Sequence, residues 1–93
     1  MSDYPEWASL RELDGLEGVD KGCAFRAFKR LEAGLVEGRD YALLHHGDDA
    51  VAIAALRRAG RIYASSVNIV LLAPALVPAL RAAMRDGRGR DLP

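Results

Sequence analysis

Lys21, Arg26, Lys29 and Arg30 place four positive charges in residues 21–30, with no acid among them. The flanks have the opposite sign: residues 1–20 hold six acids and one base, and residues 31–50 hold five acids and one base. On a helix, Arg26, Lys29 and Arg30 fall at i, i+3 and i+4 and share one face. Ammonium and guanidinium groups in this arrangement neutralise phosphates, and an arginine fork also matches the major-groove edge of guanine. Arg26 is the candidate base reader, Lys29 and Arg30 are candidate phosphate contacts, and Lys21 and Gly22 occupy the first turn. The same face, left in water, is the solvated side of an ordinary amphipathic helix. A second basic island comprises Arg57, Arg58 and Arg61. Two of these close a helix, where cations offset the macrodipole; the alternative is a second contact to a nucleic-acid backbone. Arg88 and Arg90 sit in a glycine-rich tail of the kind that can lie along DNA as an arm.

Other chemistries find little support. His45 and His46 are adjacent, so on a strand they point to opposite faces and share a metal poorly. One is expected to be packed and the other wet. Cys23 is the lone cysteine, which excludes an internal disulfide and a zinc set of cysteines. No nucleophile–base pair, catalytic carboxylate pair or phosphate loop stands out. The expectation is therefore a non-enzyme without cofactor or metal. The net charge is zero, which argues against purely electrostatic nucleic-acid binding, yet segregated charge still gives a basic face. No apolar run is long enough to span a bilayer, and the first residues are acidic and lack an apolar signal core. A cytoplasmic protein that does not enter membranes is expected.

The elements that must position the cations follow from hydrophobic periodicity. At 93 residues, 51% of them hydrophobic, the chain reads as one domain over residues 1–86 with a disordered tail over 87–93. Residues 1–8 form a lead-in that Tyr4 and Trp7 can pin to the body. Ser9 and Glu12 make a capping-box pattern, and Leu10, Leu13 and Leu16 follow at helical spacing up to Gly18. Asp20 suits an N-cap. Phe25, Phe28, Leu31 and Leu35 mark an amphipathic helix over 21–33, and Gly34 suits its close. Residues 41–46 read as a strand, 49–59 as a helix ending before Gly60, and 61–64 with 67–72 as a hairpin turning at Ser65-Ser66. The apolar run 67–72 should be central in the sheet; as an edge it would pair with a second copy. Pro78 restricts the last helix, 75–85, to a start just before it. The expected fold is a small α+β domain, in the order α-α-β-α-β-β-α, with a short antiparallel sheet.

Ser9, Glu12-Leu13, Leu16, Gly18-Val19, Asp20 and the cations from Lys21 to Lys29 resemble the helix-turn-helix of bacterial and phage repressors. The resemblance covers about a fifth of the chain. It implies a glycine bend with positive φ, a valine between two helices, and a second helix laid in the major groove of double-stranded DNA. The chain departs from the motif at Asp14, where a small apolar residue normally packs, and at Gly15, Glu17 and Phe25. Residues Gly38-Arg39-Asp40-Tyr41-Ala42-Leu43-Leu44 also resemble a segment of phage antirepressor N-terminal domains. The resemblance implies a small, prophage-type transcription regulator that contacts DNA through Lys21, Gly22, Arg26, Lys29, Arg30, Arg57, Arg58 and Arg61, as a possible homodimer. The alternative is a protein-interaction module, antitoxin-like, whose basic helix docks on an acidic protein partner.

Overall fold

The fold was derived from a computed structural model that describes residues 6–90, with side chains described through Asp86. It is an α+β domain. A short strand β1 (Ala8–Ser9) leads into α1 (Leu10–Glu17) and α2 (Cys23–Leu31), and a 3-10 turn (Glu32–Gly34) follows. The chain continues as β2 (Tyr41–Leu44), α3 (Ala50–Arg58), β3 (Ile69–Leu72) and α4 (Val77–Arg90). The sheet is antiparallel, in the order β1-β3-β2.

The apolar run ending at Leu72 is the central strand, as its composition implies. A strand covered on both faces reads as a continuous apolar run, because each alternate side chain meets a different layer. Leu72 and Val70 face a core with Leu13, Ala24, Ala27, Phe28, Leu76, Leu80 and Met84, supplied by α1, α2, α4 and the turn before α4. Ile69 and Leu71 face the opposite way, onto Ile53 and Leu56 of α3, Ile62 and Trp7. The result is helices, sheet, helix: three layers around one strand. Phe28 meets Tyr41 edge to face, with ring centroids 5.0 Å apart, an arrangement that aromatic quadrupoles favour.

Residues 61–64 do not pair, so the expected hairpin is absent. Their polar groups are engaged elsewhere. The Arg61 carbonyl accepts from Ser9 Oγ, and the Ile62 carbonyl accepts from Arg11 NH1 at 3.1 Å. The strand edge that the hairpin would have filled is taken by β1, with Ala8 opposite Leu72 and Ser9 opposite Leu71. Pro78 lies in the first turn of α4, where its missing N–H does no harm. α4 continues to Arg90, beyond the Arg85 at which the apolar pattern stops. Tyr4 and residues 91–93 of the tail lie outside the described residues. Among the described residues, no helix is long and apolar enough to cross a membrane.

Glu17, at the end of α1, ties this helix to α4. Its carboxylate accepts from Arg81 Nε at 2.6 Å and from Arg85 NH2 at 3.0 Å. These two guanidinium groups hold the Glu17 carboxyl below its ordinary value of 4.5. A depressed carboxylate stabilises the fold above its unfolded pKa, and that contribution disappears as pH falls through the folded value. Glu17→Gln is therefore expected to flatten the acid limb of a stability–pH curve below about pH 4.5 and to leave the neutral limb parallel to wild type. Urea midpoints measured between acid and neutral pH check this, and identical acid limbs would refute it.

Candidate nucleic-acid interface

The site begins with the two helices that hold it. Ser9 caps α1: its Oγ accepts from the Glu12 N–H at 3.1 Å, and the Glu12 carboxylate accepts from the Ser9 N–H at 2.8 Å. Both partners of the capping box are thus in place. Gly18 ends α1 with φ 64 and ψ 38, a left-handed conformation that side chains other than glycine adopt at a cost. Val19 then packs against the main core, between the helices.

The capping of α2 differs from the sequence expectation. Asp20 is exposed and its side chain caps nothing. The N-cap position is Gly22, at φ 97, so an extra turn separates Asp20 from the helix start. Asp14 of α1 takes the role from a distance. Its Oδ1 accepts from the Ala24 N–H at 2.8 Å, and its Oδ2 from the Gly22 N–H at 3.1 Å. The hydroxyl of Tyr63 donates to the same Oδ2 at 2.6 Å. Asp14 is only 2% exposed, so these bonds form away from competing water, where a carboxylate at a helix N-terminus is most effective. The position that departs from the helix-turn-helix pattern thus holds the two helices together. Tyr63 gave no signal in the sequence as part of this arrangement.

Lys21, Gly22 and Arg26 gather at the exposed start of α2. The Arg26 guanidinium folds back over the first turn: its NH2 lies 3.2 Å from Cys23 Sγ, and its NH1 lies 3.4 Å from where a Cβ on Gly22 would stand. Lys21 Nζ donates to Ser65 Oγ at 3.0 Å and stands 4.9 Å from the Tyr63 ring centroid. Arg57 NH2 donates to the next residue's carbonyl, Ser66, at 2.6 Å. One turn therefore joins the two basic islands, a proximity that sequence distance conceals. Lys29 pairs with Glu32 at 2.5 Å and Arg30 NH2 donates to the Ala83 carbonyl at 2.8 Å, both on the surface. Arg58 is exposed on α3.

Arg61 does not join this surface. It is half-buried, paired with Glu12 at 3.0 Å, and donates also to the Trp7 carbonyl. Burial acts to raise the Glu12 pKa, but the bonds from Arg61 and Ser9 outweigh it and hold the carboxyl below its ordinary value. The hairpin expected beside Arg57 and Arg58 is replaced by the irregular loop over 61–68. His45 and His46 are both exposed rather than one packed and one wet, because β2 ends at Leu44 before them. The side chains of Arg88 and Arg90 lie outside the described residues. The chain matches no protein-family model, no curated protein and no solved structure.

Asp14→Ala strips the acceptor from three donors, two of them helix N–H groups, and is expected to lower stability by about 2–4 kcal/mol; a urea-derived loss below about 0.5 kcal/mol, the range of an ordinary surface change, would contradict the capping role. The Tyr63 phenol is pushed up to about 12, first by burial and then by its bond to Asp14. A raised phenol pKa gives stability that is present below the ordinary value of 10.0 and lost as pH rises through about 12. Ultraviolet titration should show one tyrosine ionising late, and Tyr63→Phe should remove that late step.

Proposed function

We propose that the chain is a small DNA-binding protein, a regulator of bacterial or prophage type, that lays α2 in the major groove of double-stranded DNA. The observation that carries this reading is the gathering of Lys21, Gly22 and Arg26 at the exposed start of α2, directly after a left-handed glycine bend. In a helix-turn-helix the start of the second helix is the part that reaches base edges. Arg26 is the base reader, because its guanidinium fork matches O6 and N7 of guanine. Among the described residues its guanidinium is hydrogen-bonded to a thiol, a weak acceptor, so it exchanges that contact readily. Lys29, Arg30, Lys21 and Arg57 hold phosphates on either side. Their internal partners are exposed at the surface, where such bonds contribute little and are easily traded. Asp14 already occupies the N–H groups at the start of α2, so phosphates are held by side chains rather than by the helix dipole.

A domain of this size covers one half-site. A homodimer would read two half-sites about one helical turn apart. A second reading, a module that docks on an acidic protein, is favoured by Phe25, which is 47% exposed amid the same cations. Exposed aromatic side chains are enriched at the cores of protein interfaces.

Salt dependence separates the two. Four phosphate contacts predict that log K for a random duplex falls with log salt at a slope of about −3 to −4. Arg26→Ala combined with Lys29→Ala is expected to weaken duplex binding about tenfold or more at low salt. Fluorescence anisotropy checks both. Absence of binding at low salt, together with an acidic partner retained through high salt, would transfer the assignment to the protein-docking reading.

A further inference from the structure

Beside the start of α2 lies a cleft of about 280 Å³. It exists because β1 is only two residues long and covers β3 only at Leu71 and Leu72, after which α1 turns away. The edge of β3 at Val70 and Ile69 is left facing the gap, and Leu10, Phe25 and Ile62 complete a largely apolar wall. Polar groups in the floor are internally matched. Both oxygens of Asp14 accept hydrogen bonds, and the Tyr63 hydroxyl is one of the donors. What stands open at the mouth is positive. Arg11 and Lys21 both hold their charge over the Tyr63 ring, at 5.5 Å and 4.9 Å from its centroid. Arg11 uses one guanidinium nitrogen on the Ile62 carbonyl, and Lys21 one hydrogen bond on Ser65, so each retains donors. The Tyr63 ring that both cations approach is held by its hydroxyl's bond to Asp14.

We infer that this cleft binds a small organic monoanion with a flat apolar body, its carboxylate held at the mouth by Arg11 and Lys21 and its body against Phe25 and Val70. The volume is near the lower limit of small-molecule sites, which pair apolar walls with a few placed polar groups. The charge balance points the same way: two cations and one buried carboxylate at the cleft leave one positive charge to be matched by the ligand. A neutral ligand leaves that charge unmatched, and a bare inorganic anion leaves the apolar wall wet. This inference goes beyond duplex binding and is tested without nucleic acid.

The test titrates the full chain with three probes: 2-naphthoate, the neutral isostere naphthalene-2-methanol, and inorganic phosphate. Calorimetry reads affinity, and amide chemical shifts read location. The expected result is 2-naphthoate binding at about 0.1–1 mM, about tenfold tighter than the alcohol, with shifts centred on Leu10, Phe25 and Val70 and no comparable response to phosphate. Arg11→Gln should erase the carboxylate's advantage while preserving the weak affinity for the alcohol, and Arg11→Lys should restore part of it. A thermal melt of each variant separates loss of binding from loss of fold. No binding of 2-naphthoate at about 5 mM, well above that range, equal affinity for acid and alcohol, a phosphate response matching that of the acid, or shifts centred elsewhere would each overturn the inference.

Discussion

The arrangement depends on one buried carboxylate. Asp14 sits where an apolar residue would pack two helices by contact alone. It holds them instead by accepting from two backbone donors at the start of α2, Gly22 and Ala24, and from the Tyr63 hydroxyl. A buried charge is tolerated only when its hydrogen-bonding capacity is met, and this one is met by three donors from two segments of chain. Asp14 therefore ties α1, the start of α2 and the loop over 61–68 together. A contact between apolar surfaces would allow the helices to slide; a carboxylate bound to named N–H groups sets their register.

The same carboxylate shapes the electrostatics of the surface above it. It neutralises the positive end of α2 from within, so the cations of residues 21–30 are not repelled by the helix start they surround. Lys21 and Arg26 can then crowd around Gly22, where the absence of a Cβ leaves room for the folded-back guanidinium. Arg11 and Lys21 both approach the ring of Tyr63, whose hydroxyl is bound to Asp14. Positive charge gathers at the start of α2 in a chain with no net charge, and the Asp14 carboxylate is buried beneath it. Glu12 and Glu17 face away and anchor the opposite ends of α1, to Arg61 and to the arginines of α4. Glu12 and Glu17 are in this way used as ties within the fold, and the bases of α2 remain on the surface.

The central strand explains why the rest is assembled in layers. Ile69 to Leu72 is buried on both faces, so helices must cover both. Three helices serve one side and α3 the other. β1 is short because the chain is needed at once for α1, and the gap this leaves along β3 becomes the cleft.

The amino-acid sequence by itself determined the α+β class, the capping box at Ser9, the bend at Gly18, the amphipathic character of α2 and the central position of the last strand. Each is set by residues within a few positions of one another, through periodicity, caps and glycine freedom, which are local effects. Only the tertiary structure decided that Asp14 rather than Asp20 caps α2, that β1 takes the strand edge assigned to residues 61–64, that Arg61 turns inward to Glu12, and that Lys21 and Arg57 meet at one turn. These partners lie about ten to fifty residues apart in sequence. A buried hydrogen bond between distant segments leaves no periodic trace, because its energy depends on burial and approach that exist only once the chain has closed on itself.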